Sequence, residues 1–124
     1  MSLSGIVLDS PDAQQLAAFY QRLLGWQTEQ DEPGWVKLGS PDGGPGLSFQ
    51  TEAAYRRPHW PAAQAAEQQP EQQMMIHLDI KVDDLDLAGQ HAIAAGAVLA
   101  EYQPQPDVRV YLDPAGHPFC LFLT

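Results

Sequence analysis

Three short stretches of the 124-residue sequence carry side chains that could do chemistry together. In His77-Leu78-Asp79-Ile80-Lys81, polar and apolar residues alternate. On an extended strand that period of two puts His77, Asp79 and Lys81 on one face. A histidine beside a carboxylate can act as a general base with its orienting partner. It is equally well read as a hydrogen-bonded sheet histidine. The same reading of Val108 to Leu112 sets Arg109 and Tyr111 opposite an apolar row of Val108, Val110 and Leu112. Along Phe119 to Leu123 it sets Cys120 and Phe122 opposite Phe119, Leu121 and Leu123. Arg109, Lys81 or Tyr111 would then hold negative charge developing on a substrate. Cys120 reads first as a small half-buried hydrophobe, and with His77 and Asp79 it would supply the S, N and O donors that zinc accepts.

Strands and helices must hold these groups, and their pattern occurs twice. Gly5-Ile6-Val7-Leu8-Asp9-Ser10-Pro11-Asp12 leads into a helical run ending Leu24-Gly25-Trp26, and His77 to Asp84 leads into another ending Ala95-Gly96-Ala97. Val36 to Gly43 and Val110 to Gly116 then match in the same order. Each half reads strand, helix, strands, and repeated units of this kind bury their apolar faces against one another. In the first helix Leu16, Phe19, Tyr20, Leu23 and Leu24 form one stripe, with Ser10-Pro11-Asp12 as its start signal and Gly25 as its stop. Leu85, Ala88, Ala92 and Ala95 make a smaller face on the second helix, which Asp83 or Asp84 caps and Gly96 ends. Ile6, Leu8, Val36, Leu38, Leu47 and Phe49 take the helix-covered side of the first sheet, leaving Asp9, Lys37, Ser48 and Gln50 on the other. A sheet with helices on one side and such a polar surface on the other suits a small polar or amphipathic ligand.

The composition narrows the partners. Six basic against sixteen acidic residues give a formal charge of -10, which disfavours nucleic acid. The sequence carries no apolar run long enough to cross a bilayer. A single cysteine allows no internal disulfide, and Met1-Ser2-Leu3-Ser4-Gly5 has no signal-peptide pattern, so a reducing cytoplasm is the expected location. One domain over residues 1–124 is expected, with modules at about 1–51 and 75–124 joined by a Pro/Gln/Ala-rich loop at 52–74. Pro61 could open a short helix through Ala62 to Ala66. Trp60, between His59 and Pro61, could close a pocket, staple the loop or pack in a dimer interface. Trp26 and Trp35 read as core or interface residues. His91 and His117 read as structural or solvated.

Three ordered stretches carry a family resemblance: Asp12 through Phe19-Tyr20 to Trp26, His77 to Asp84, and Asp113-Pro114-Ala115-Gly116-His117-Pro118-Phe119. Together they resemble the vicinal oxygen chelate superfamily, the glyoxalase, bleomycin-resistance and extradiol-dioxygenase group. Tyr55 to Pro61, followed by Gln72-Gln73-Met74, resembles a bacterial glyoxalase-like subgroup within it. The resemblance implies an α+β fold of two tandem βαβββ modules forming a cupped mixed sheet with helices on the outer face. It also implies a ligand site inside the cup and, commonly, a homodimer.

In metal-dependent members of that superfamily four side chains converge on a divalent ion, and their positions fall here at Gly5, Ser48, His77 and Cys120, with Gln50 facing the same way as Ser48. Glycine supplies no ligand, and Ser and Gln are poor ones. The expectation is therefore no cofactor and no tightly bound catalytic metal at these positions, with a zinc site of His77, Cys120 and Asp79 as a minor alternative. The expected ligand-binding residues are Ser48, Gln50, His77, Asp79, Arg109, Tyr111, Cys120 and Trp60. Three function classes follow: a small-molecule binder without the usual metal, a metal-independent lyase or isomerase using His77 as base and Asp79 to orient it, and an accessory domain with only a protein partner. A polar sheet face favours the first two.

Overall fold

The computed structural model describes residues 1–61 and 72–123; the expected short helix at Ala62 to Ala66 lies outside them. Contacts divide the chain into two compact units, Met1–Tyr55 and Arg56–Thr124. Among the described residues the architecture is α+β, with one helix and one four-stranded mixed sheet in each unit.

The first unit runs β1 (Gly5–Ser10), α1 (Ala13–Leu24), β2 (Gln27–Glu32), β3 (Trp35–Gly39) and β4 (Gly46–Thr51). Its sheet has the order β1-β4-β3-β2, with β1 parallel to β4 and the other pairs antiparallel. The helix forms where the stripe predicts. Leu16, Phe19 and Tyr20 are buried, Phe19 meets Tyr20 edge to face at 4.8 Å, and Tyr20 stacks on Phe49 of β4 at 5.4 Å. Asp12 is the N-cap, its carboxylate accepting from the Gln15 N–H at 3.1 Å, while Ser10 Oγ accepts from the Asp12 N–H at 2.9 Å. The start signal therefore operates one turn-residue later than Ser10 alone suggests, and Pro11 stays outside the helix. Gly25, at φ 71, closes the other end in the left-handed conformation that glycine adopts without a Cβ clash.

The second unit repeats the order with β5 (Leu78–Lys81), α2 (Leu85–Ala95), β6 (Val98–Leu99), β7 (Val108–Leu112) and β8 (Pro118–Phe122). Its sheet runs β5-β8-β7-β6, again with the first and last strands parallel. Asp84 caps α2 by accepting from the Leu87 N–H at 2.9 Å. The helix buries only Gly89, Ala92 and Ala95, so it lies close to its sheet; a Cβ on Gly89 would stand 2.2 Å from the Tyr111 hydroxyl. At the β7–β8 turn the buried Asp113 carboxylate accepts from the backbone N–H groups of Ala115 and His117, both at 2.9 Å, and lies 2.8 Å from His117 Nδ1. His117 is thus part of a turn clamp. Arg57 lies over Gly116 of the same turn and donates to the Pro114 carbonyl at 3.2 Å.

Candidate functional site

The parallel β5/β8 pair sets Asp79 directly beside Cys120, and the antiparallel β7/β8 pair sets Val110 on the other side of Cys120. Residues opposite one another in a ladder share a face. His77, just before β5, and Asp79 therefore stand over a floor of Cys120 and Phe122 from β8 and Val108 and Val110 from β7. Together they bound a cavity of about 430 Å3, large enough for a small-molecule ligand.

Trp60 comes in from the segment before β5. It packs on the buried cluster of Ala100, Val110 and Cys120 and stacks on the His77 ring, with centroids 5.2 Å apart and planes 10° from parallel. The His59 N–H donates to the Gln72 carbonyl at 3.1 Å, and His59 and Gln73 form a parallel bridge, so the residues before Trp60 are tied to those that lead into β5. On its other side the cavity is bounded by Pro104 and Gln105. These are held in place by Gln103, whose side-chain amide donates to the carbonyls of Ala100 (2.9 Å) and Val110 (3.0 Å) and accepts from the Val110 N–H (2.8 Å).

His77 Nε2 lies 3.3 Å from Asp79 Oδ1. An imidazole nitrogen of His77, a carboxylate oxygen of Asp79 and Cys120 Sγ all lie within 4.8 Å of one another. His77 and Asp79 are solvent-accessible, whereas Cys120 is buried. Burial pushes the Cys120 thiol above its ordinary pKa, and the neighbouring Asp79 charge adds to that shift, so without a cation nearby it is a neutral thiol at physiological pH.

Of the expected ligand-binding residues, the structure brings His77, Asp79, Cys120 and Trp60 together. Arg109 and Tyr111 it places elsewhere. Tyr111 is opposite Phe119 in the β7/β8 ladder, stacks on it at 5.8 Å and points its hydroxyl at Gly89 of α2. Arg109 is opposite Leu121 and donates to the carbonyls of Pro106 (2.6 Å) and Val108 (3.2 Å). Both belong to the helix side, and Val108 and Val110, expected there, line the cavity instead. The ladder register decides this: Val110 pairs with Cys120, so the alternation along β7 is the reverse of the one its hydrophobicity suggests. Burial pushes the Tyr111 hydroxyl up from its ordinary pKa, an effect that the Arg109 charge opposes.

Ser48 and Gln50 belong to the first unit. Ser48 is buried on β4 between Val7 of β1 and Lys37 of β3, and Gln50 is exposed beside Asp9 and Trp35. At Gly5 a Cβ would lie 3.1 Å from the Gly46 carbonyl oxygen, so the position that lacks a ligand side chain is also crowded by backbone. The four-position metal set does not fit this chain: glycine and a buried serine hydroxyl offer the ion nothing comparable to His77. Leu123, expected on the helix-covered side with Phe119 and Leu121, also lines the cavity, and the residues that sequence reasoning passed over altogether are Pro104 and Gln105. Their one signal is the Gln103-Pro104-Gln105-Pro106 run, in which each proline biases its predecessor toward extended backbone and removes a sheet donor.

Comparison with known proteins places this geometry. The model of the glyoxalase-like domain family matches residues 5–122. No curated protein matches the sequence significantly. Among solved structures, a glyoxalase/bleomycin resistance protein/dioxygenase family enzyme from Burkholderia phytofirmans PsJN is similar with a TM-score of 0.72 at 22% identity, over 99% of this chain and 98% of that one. A glyoxalase-related enzyme from Fulvimarina pelagi has a TM-score of 0.70 at 18% identity, over 100% of this chain and 88% of that one. A glyoxalase/bleomycin resistance protein/dioxygenase from Nocardioides has a TM-score of 0.66 at 16% identity, over 99% and 83%. At these identities the likeness speaks for the fold alone.

Proposed function

The chain belongs to the glyoxalase-like domain family, within the vicinal oxygen chelate superfamily, and from that premise we propose that it binds a small polar or amphipathic molecule without the four-ligand metal set of metal-dependent members. The observation that carries this reading is the cavity of about 430 Å3, in which the stacked Trp60–His77 pair faces an apolar floor with Asp79 at its edge. Aromatic and aliphatic walls bury the body of a ligand, and a few polar groups fix its orientation.

The test is a thermal-shift panel of polar and amphipathic metabolites and antibiotics, run with and without divalent metals and followed by calorimetry on any hit. Bound ligand stabilises the folded protein in proportion to its occupancy. Trp60→Ala is expected to weaken a hit by about tenfold or more, the equivalent of about 1.4 kcal/mol. A panel in which no compound raises the melting temperature, or a hit indifferent to Trp60→Ala, overturns the reading.

The 3.3 Å approach of His77 Nε2 to Asp79 favours a second reading, a metal-independent lyase or isomerase. His77 would take a proton from the substrate, Asp79 would orient the ring, and Lys81, on the cavity face of β5 beside Phe122, would be the cation for the developing charge. His77→Ala would then abolish turnover while leaving the fold intact. Binding without turnover in the wild type selects the first reading. In both, the protein is a cytoplasmic homodimer. Exposed Leu87 and Ile93 on α2 and Val98 and Leu99 on β6 are apolar residues that a second copy would cover. A monomer by light scattering at working concentration overturns the dimer.

A further inference from the structure

We propose that the second unit by itself holds one zinc-class divalent ion, bound by an imidazole nitrogen of His77, a carboxylate oxygen of Asp79 and Sγ of Cys120. The site differs from the superfamily's set in origin and in chemistry. It needs nothing from the first unit, it recruits Asp79 from a position outside that set, and it offers a thiolate where a hard ion would want oxygen.

Geometry is the first argument. Zinc bonds of about 2.0–2.3 Å in a tetrahedron put ligand atoms about 3.3–3.8 Å apart. The three donor atoms here lie within 4.8 Å of one another, and His77 Nε2 and Asp79 Oδ1 are already 3.3 Å apart. Side-chain rotation closes what remains, because the backbone has done the rest: Asp79 and Cys120 are register partners in the parallel ladder. The stacked Trp60 ring holds the His77 plane in place, as neighbours that orient a metal-binding histidine do.

Charge is the second argument. Among the described residues that line the cavity, Asp79 is the one with a fixed charge, and it is negative. Three lone-pair donors thus converge beside an apolar floor, and Lys81, two residues along β5 from Asp79 and beside Phe122, is not among the residues that line the cavity. A divalent ion supplies the missing positive charge. On binding, the Cys120 S–H bond breaks, its proton passes to solvent, and the sulfur lone pair forms the metal bond. The N, S and O donor set selects zinc, or cobalt in its place, over magnesium and calcium, which want oxygen ligands alone. Three protein ligands leave a fourth position open toward the cavity, where water or a bound molecule's own donor atom would sit.

The inference rests on the same cavity as the proposed function but not on its ligand, and the two can fail separately. Full-length protein stripped with chelator is titrated with Co2+. The expected result is one equivalent bound, with a near-ultraviolet thiolate-to-cobalt charge-transfer band that Zn2+ abolishes. Because Cys120 is the sole cysteine, the band can come from no other sulfur. His77→Ala and Asp79→Ala are each expected to weaken cobalt binding by at least about tenfold. Zinc should also protect Cys120 of the wild-type protein from alkylation, a readout that requires no Cys120 variant to fold. No charge-transfer band in the wild type, or a band undiminished in both His77→Ala and Asp79→Ala, overturns the metal site and leaves the small-molecule reading standing. A band with no small-molecule hit does the opposite.

Discussion

Across the parallel β1/β4 pair of the first unit Val7 faces Ser48, and Lys37 of β3 lies on the far side of Ser48; the same cross-section of the second unit reads Asp79, Cys120 and Val110. The strand order and ladder directions match, and so do the caps of the two helices, each an aspartate accepting from the N–H three residues on. The interiors do not match. The first unit packs Phe19, Tyr20 and Phe49 under a helix with an aromatic stripe, whereas the second packs Gly89, Ala92 and Ala95 of its helix against Tyr111 and Phe119. In this duplicated fold the repeat preserves hydrogen-bond geometry and leaves side-chain volume and donor chemistry free to diverge. The polar donors have collected in the unit with the lighter helix.

The contrast in packing is the one most easily broken. Phe49→Ala removes a fully buried ring from the first unit and is expected to cost about 3–5 kcal/mol in urea unfolding, whereas Ala92→Gly on α2 should cost about 1 kcal/mol. Equal losses would mean the two helices carry equal weight after all. The fifth residue of each helix gives a sharper test: it is Ala17 in α1 and Gly89 in α2. In an exposed helix Gly→Ala stabilises, but Gly89→Ala drives a Cβ into the Tyr111 hydroxyl and should cost about 1–3 kcal/mol, with relief in the Gly89→Ala/Tyr111→Phe double variant. The caps probe the likeness instead of the difference. Asp12→Ala and Asp84→Ala should each lose about 1 kcal/mol, and a gap of more than a few tenths between them would show that the repeat is less regular than its hydrogen bonds suggest.

The smallest effect is in alkaline pH. The folded state holds the Tyr111 proton more tightly than the unfolded chain does, so that contribution to stability is complete below the ordinary tyrosine pKa of 10.0 and lost as pH rises through the raised value. Tyr111→Phe should flatten the alkaline limb of a stability-against-pH curve. An unchanged limb would take Tyr111 out of the account.

Most of the scaffold can be read from the sequence because its signals are local. A stripe at helical spacing, an aspartate before it and a glycine after it place α1 within a residue or two, and alternation places Leu8, Leu38, Leu47 and Phe49 on the covered face, where they are buried. His77, Asp79 and Cys120 share a face for the same reason. The face of β7 was not legible. Val108 and Val110 look like core beside Arg109 and Tyr111, but the cavity floor is itself apolar, so hydrophobicity cannot tell the two sides apart and the ladder partner of Cys120 decides. The polar strand Gln27–Glu32 gives no alternation to read, and its pairing rests on β3 beside it. Nor does Gln103 announce itself. Its role depends on bonding to Val110, seven residues away, which no spacing rule anticipates.

That glutamine has a consequence for how such a protein changes over generations. By accepting from the Val110 N–H and sharing the Val110 carbonyl with the backbone N–H of Ala100, one amide extends the edge pairing beyond the two residues of β6. The edge of the sheet is thereby sealed by a side chain, and the chain beyond it, Pro104 and Gln105 at the mouth of the cavity, is released from any ladder of its own. Substitutions at Pro104 or Gln105 can therefore reshape that mouth while the Gln103 anchor keeps the sheet beneath it intact.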